Sequence, residues 1–176
     1  AINDVLSYGN HYQWGRPADG HEISVWNGDA PITGRGFDDA TPSLANGDTP
    51  GHSKFILTNV TPYDWRSGNN DNRWATANQG PCPAGYHVPT DAQWATADTY
   101  GAWNNNTNTY NSALKLPSTG RRDRVSGLLN FQGTLGNYWS STVFSTNAHF
   151  LYFNITAAST SNGNRAEGMT VRCLKN

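Results

Sequence analysis

Cys82-Pro-Ala-Gly-Tyr-His-Val-Pro-Thr-Asp-Ala-Gln-Trp94 is the stretch on which the reading of this chain turns. Thr90 followed three residues later by Gln93 is a capping box: the hydroxyl takes the Gln93 backbone N–H and the glutamine reaches back to the N–H of Thr90. The pattern predicts a helix over 91–100, with Pro89 fixing the approach of the chain and Trp94 supplying the first large apolar contact. A polar loop at 104–108 leads to a second helix over 109–114, which Leu116-Pro117 ends. Glycines at 127, 133 and 136 then punctuate short segments. Residues 147–155 and 169–174 are rich in β-branched and aromatic side chains and read as strands, Met169, Val171 and Cys173 sharing one face of the last. Two helices followed by an antiparallel meander make an α+β fold.

The first 80 residues carry little periodicity and read as loop-rich. Residues 8–16 form a strand or turn-flanked segment, and residues 54–57 a short apolar run. Residues 64–74 set polar turn formers between Trp65 and Trp74, a pattern that packs both rings on the core while Asn and Asp side chains bond their own backbone. With 176 residues, residues 1–176 are expected to form one domain around a real core. Only 14% of residues are charged against 12% aromatic, which argues for aromatic packing rather than disorder.

The formal net charge is −1 and the one basic cluster, Arg121-Arg-Asp-Arg124, is short and interrupted by a carboxylate. It reads as a solvated turn, and nucleic acid is excluded as a partner because its binding needs clustered cations that displace counterions. No apolar run approaches the ~20 residues of a membrane span. No secretory leader is visible, and Ala1-Ile2-Asn3 reads as a processed or trimmed start. The two cysteines bracket most of the second half. Either Cys82 and Cys173 form a disulfide, closing a loop approaching ~100 residues for a stabilisation of up to roughly 4–5 kcal/mol, or they are two buried thiols of a cytosolic protein; the disulfide and an oxidising compartment are the expectation.

Tyr12-Gln-Trp-Gly-Arg16, Asp64-Trp-Arg66, the Cys82–Thr90 run, Leu114-Lys-Leu-Pro117, Tyr138-Trp-Ser-Ser141 and Arg165-Ala-Glu-Gly-Met-Thr-Val-Arg-Cys173 together resemble the Fibrobacter succinogenes major paralogous domain. The resemblance covers most of the chain. It implies a C-type-lectin-like fold, two helices flanking a small twisted antiparallel sheet with the N- and C-terminal strands side by side, and it supports pairing Cys82 with Cys173. Family members carry a further strand and a tryptophan-containing motif ahead of Tyr8, which this sequence lacks or begins after. The Glu-Pro-Asn or Gln-Pro-Asp tripeptide and the Trp-Asn-Asp run of calcium-dependent sugar binders are absent, so calcium-dependent sugar binding does not carry over. The formylglycine-generating enzyme shares the fold, but its catalytic cysteine pair sits elsewhere, and Cys82 and Cys173 look structural.

No nucleophile with a base, carboxylate pair or metal cluster stands out. His52 and His87 lack a partner at helical spacing, Asp19, His21 and Glu22 have an ordinary turn composition, and Asp38-Asp39 reads as solvated. Asn69-Asn-Asp-Asn72 is rich in oxygen without the spacing of a calcium loop. No cofactor is therefore expected, and calcium is left open without a motif to support it. Trp94, Trp139, Trp14, Trp65 and Trp74 are assigned to the core, whereas Trp26 and Trp103, in polar loops, are divided between recognition and packing.

The binding signal falls in residues 120–173. In some relatives of the family the positions between scaffold residues are diversified by a retroelement that mutates adenines, which turns Asn codons into many others. Asp123, Arg124, Asn130, Phe131, Asn137, Phe144, Asn147, His149, Phe150, Tyr152, Asn154 and Thr156 are reachable in this way and are the candidate ligand-binding residues. Phe131 and Phe144 put bulky rings where turn chemistry prefers small polar groups, and aromatics mixed with Asn and Ser suit an adaptable binding surface. The expectation is a non-enzymatic recognition module, extracellular or on the cell surface, that binds a protein or other surface ligand as a monomer. The alternatives are a non-diversified structural or carbohydrate-associated module and, after it, an enzyme of the formylglycine-generating branch.

Overall fold

The computed structural model describes residues 4–24, 26–27, 30–31, 39–75 and 80–176. In chain order these contain strands β1 (Tyr12–Gln13), β2 (Trp26–Asn27), β3 (Ala30–Pro31), β4 (Ala40–Thr41), β5 (Phe55–Ile56) and β6 (Tyr86–His87), followed by helices α1 (Asp91–Gly101) and α2 (Asn106–Asn111). Strands β7 (Arg121–Arg122), β8 (Leu129–Asn130), β9 (Gly136–Phe144), β10 (Asn147–Phe153), β11 (Ala158–Asn164), β12 (Gly168–Met169) and β13 (Leu174–Lys175) complete it. The protein is α+β, with two helices and several small sheets that are antiparallel except for the β4–β5 pair.

The meander β9–β10–β11 is the structural centre. Alternation along its strands sends side chains both ways, and both directions are buried. Trp139, Ala148 and Phe150 meet Trp14, Trp74, Val88 and Met169 on one side, while Tyr138, Leu151 and Phe153 meet Trp94, Trp103 and Leu116 on the other. This two-sided burial is why β9 begins with five consecutive buried residues instead of an alternating pattern. Gly136 is required at its start because a Cβ there would overlap the Phe153 ring.

Helix α1 covers one face. Its capping box forms as read from the sequence: Gln93 N–H donates to Thr90 Oγ1 at 3.2 Å and Thr90 N–H to Gln93 Oε1 at 2.8 Å. Trp94 anchors the helix through its ring and an Nε1–H bond to the Trp139 carbonyl at 3.2 Å. Helix α2 starts three residues before the expected position and ends earlier. Asn105 is an N-cap whose Oδ1 accepts the Asn108 N–H at 2.9 Å, so the run read as a polar loop is the first turn of the helix.

The other face is covered by the N-terminal half, and here the sequence motifs acquire physical reasons. Gln13 is fully buried and spends its amide on both backbone groups of Ile56 and on the Ala166 carbonyl. Trp14 donates to Ser140 O at 2.8 Å, Trp65 to Trp14 O at 2.7 Å and Trp139 to Tyr12 O at 2.7 Å, so indole N–H bonds stitch separate segments together. Gly15 has φ +77 and lies against the Arg73 side chain, where a Cβ has no room. Within residues 64–74, Asp64 Oδ1 accepts the Arg66 N–H and Asn70 Oδ1 the Asn72 N–H, the local turn bonds expected of that run.

The last expected strand, 169–174, is broken in two because the chain changes partner. Met169 pairs with Tyr12, Thr170 bridges Tyr138, and Leu174 pairs with His87. Met169 is buried and Val171 and Cys173 half-buried, so the expected shared face survives the break. Arg121-Arg-Asp-Arg124 is not simply a solvated turn: Arg122 is 2% exposed, donates to Gly127 O and His21 O, and lies 4.1 Å over the Phe55 ring. The β11 segment, Ala-Ser-Thr-Ser-Asn-Gly-Asn, pairs with β10 from Asn147–Asn164 to Phe153–Ala158 despite its weak strand propensity.

Cys82 and Cys173 are joined in a disulfide with Cα atoms 5.6 Å apart, closing a ring across a sequence separation of 91. Among the described residues no helix is long and apolar enough to cross a membrane. Replacing both cysteines by serine is expected to lower the unfolding free energy in urea by about 2–5 kcal/mol, because the unfolded chain regains the entropy of the open loop. A loss below about 1 kcal/mol would show that the ring contributes little to stability.

Candidate functional site

The twelve candidate positions do not form one surface. Around the β7–β8 hairpin lie Asp123, Arg124, Asn130 and Phe131, and at the β9–β10 turn Phe144, Asn147 and His149. Tyr152, Asn154 and Thr156 sit near the opposite end of β10, which at ~3.4 Å per residue lies roughly 20 Å from its start. Asn137 is 1% exposed and donates from its side chain to Gly120 O, and Phe150 is 6% exposed and packs edge-on to Trp139. Both are core residues that offer no surface to a ligand.

Several others are committed to turns. Asp123 Oδ1 accepts from Val125 N, Ser126 N and Ser126 Oγ, which together hold its carboxyl below the usual range despite the opposing effect of burial. Asn154 Oδ1 accepts from Thr156 N, Thr156 Oγ1 and Ala157 N, building the β10–β11 turn, and its Nδ2 donates to the Tyr152 hydroxyl. Asn147 is bonded across the strand pair to Asn162 at 2.9 Å.

What remains outward is a polar and aromatic patch at the β7–β8 hairpin. Phe131 is 50% exposed at φ 66, a left-handed backbone in which a bulky residue is strained. The Arg121 guanidinium lies 5.4 Å from its ring centroid, and that of Arg124 lies 4.2 Å over Tyr63 while donating to Thr58 O at 2.7 Å. Glu167, from the turn between β11 and β12, sits behind them 3.9 Å from each of Arg121 and Arg124. It is 7% exposed, and burial raises its pKa to about 7 against the pull of the two arginines. Arg121 and Glu167 were missed in the sequence, the first because its cluster read as a solvated turn. Only the resemblance touched the second, as part of a scaffold motif. A smaller patch joins Phe144, 49% exposed, edge-on to the His149 ring at 5.2 Å, with His149 Nδ1 3.3 Å from Asp91 Oδ1.

Trp103 is 6% exposed and packs with Trp94 and Leu116, so packing holds it. The Trp26 side chain and Asp38 lie outside the described residues. Asp19, His21 and Glu22 are the one group of three metal-ligand side chains close together among the described residues. His21 is nevertheless occupied at both nitrogens: Nε2 accepts the Gln13 N–H at 3.0 Å and Nδ1–H donates to Asp19 Oδ1 at 2.7 Å. The ring is buried and its pKa is lowered by burial to about 4, so it stands neutral as a structural bridge. His11 is likewise buried, bonded to Ser24 and Thr119, and lowered by burial to about 4.

Comparison with protein-family models, with curated proteins and with solved structures gave no match.

The shifted groups set the pH dependence of folding. From about pH 4.5 to 6.5 the unfolded chain protonates His11 and His21 while the folded chain keeps them neutral, and only the folded chain protonates Glu167. Of these three groups, two bind a proton only in the unfolded state and one only in the folded state, so their joint contribution makes stability rise with pH by roughly 1 kcal/mol per unit across this window. Glu167→Gln removes the opposing proton and steepens the slope to roughly 3 kcal/mol per unit. Urea titrations at closely spaced pH values measure both slopes, and identical slopes would place Glu167 outside the titration.

Proposed function

We propose that the chain is a ligand-recognition module of C-type-lectin-like fold that works outside the cell or on its surface. It binds a protein or other surface ligand through outward side chains between residues 120 and 173, in the manner of the diversified proteins that its motifs resemble. One observation carries the reading. Phe131 holds a large ring half in water on a left-handed backbone, a placement that costs stability. An exposed aromatic anchor flanked by arginine is the composition of interface hot spots. The disulfide and the two-sided core give that hairpin a rigid base, which limits the ordering entropy lost on binding. The disulfide also suits an oxidising compartment.

A second reading, a non-diversified structural or carbohydrate-associated module, is favoured by Asp123, Asn154 and Thr156. Their polar groups build turns, and such positions tolerate few replacements. Enzymatic activity forms no part of either reading.

Phe131→Asn separates a binding ring from a structural one. Asparagine accepts the left-handed backbone, so the variant is expected to unfold at the same or a higher urea concentration than the parent; a loss above about 1 kcal/mol would make the ring structural. Sequencing the surrounding locus tests diversification. The expected finding is a near-copy of the codons for residues 120–173, differing at template adenines and lying beside a reverse transcriptase. Its absence leaves the second reading.

A further inference from the structure

Between α1 and the turn after α2 runs a groove that shares no lining residue with the hairpin patch. Its larger compartment, about 450 Å³, is lined by Ala97, Gly101, Trp103, Ser112, Ala113 and Leu114. A smaller one of about 80 Å³ shares Ala97 and Leu114 and adds Trp94, Arg172 and Leu174. The larger volume falls within the ~300–1,000 Å³ of small-molecule sites, which are apolar with a few placed polar groups.

Besides Ser112 and Gln93, whose side-chain oxygens bond local backbone groups, two polar groups are placed here. The Trp103 indole is 6% exposed and its Nε1–H has no acceptor. The indoles of Trp14, Trp65, Trp94 and Trp139 each donate to a backbone carbonyl, whereas those of Trp74 and Trp103 have no acceptor, and of these two Trp103 lines the groove. An unsatisfied buried donor is costly, and an incoming acceptor atom recovers that cost. Gly101 leaves room for the ring, since any Cβ there would overlap Nε1. The second group is Arg172, the one charged side chain among the lining residues. Its Nη2 donates to Leu114 O at 3.3 Å, which tethers an exposed guanidinium at the rim and leaves its remaining donors for a ligand.

We propose that this groove is a binding site for a small apolar molecule that ends in a carboxylate and carries one further hydrogen-bond acceptor along its body. The apolar part fills the space over Ala97 and Leu114, the acceptor takes the Trp103 N–H, and the carboxylate pairs with Arg172. The site shares no residue with the hairpin patch, so either can fail without the other.

The test titrates the intact protein with benzoylbutyrate, which has an aryl ketone and a carboxylate, and follows indole N–H signals in proton–nitrogen correlation spectra, with the Trp103 signal assigned through Trp103→Phe. The expected result is a saturable shift of that signal while the other indole signals hold still. Phenylvalerate, which lacks the ketone, and the neutral benzoylbutyramide should each bind about tenfold more weakly, the effect of losing one good hydrogen bond or a charged one. Arg172→Gln should weaken benzoylbutyrate about tenfold and leave the amide unchanged. Ala113→Leu, at an exposed position on the groove wall, should abolish the shift with the remaining spectrum intact. No saturable shift at millimolar probe, or a shift that survives Ala113→Leu, overturns the site. Equal binding of acid and amide, or of ketone and phenylvalerate, overturns the ligand class.

Discussion

Everything on the meander's inner side rests on a stack of guanidinium groups and indole rings around one buried carboxylate. Arg165 lies 4.6 Å over Trp14, Arg73 lies 4.9 Å from Trp14 and 5.0 Å from Trp65, and Arg16 is 5.7 Å from Trp65. All three arginines are fully buried. Burying such charges is affordable only with partners, and Asp64 supplies the central one: both its oxygens meet Arg73, and Arg165 Nη1 lies 3.8 Å away. Asp71 takes Arg165 and Asp19 takes Arg16 at the edges. Arginine suits this role because its planar, weakly hydrated head lies flat on an aromatic face while its edge donates to oxygen. The stack draws three distant segments together, around Trp14, Asp64 and Arg165, and Trp14 Nε1 ties it to β9.

That arrangement explains what was legible in the sequence and what was not. The capping box was readable because its two bonds are local, and the α+β class followed from that helix start together with the β-branched and aromatic content of the later segments. The motifs were visible as motifs, but their reasons were not: nothing in Tyr12-Gln-Trp-Gly-Arg16 announces that Arg16 is fully buried, since its partners Lys54 O and His52 O lie more than 35 residues away. The same distance problem hid β11, which is a strand because β10 is beside it. Helix α2 was misplaced for a local reason, an asparagine cap within an asparagine run.

The candidate positions show the same division. Exposure of Phe131 and Phe144 agreed with their odd chemistry for a turn. Asn137 and Phe150 failed because a strand buried on both faces has no outward side, a condition that alternation cannot reveal. Asp123 and Asn154 looked like surface polar groups and are turn builders, a distinction that depends on which backbone N–H groups face them. Glu167 became conspicuous only when folding set it between Arg121 and Arg124.

The Cys82–Cys173 bond has a topological consequence. Both helices, the meander and the exposed patches around Phe131 and Phe144 lie between the two sulfurs, inside a covalent ring. A single proteolytic cut in any loop of that ring opens it without releasing a fragment, and the two pieces stay joined by one bond and by the shared core. A nicked molecule of this kind keeps its parts at the concentration of a single chain.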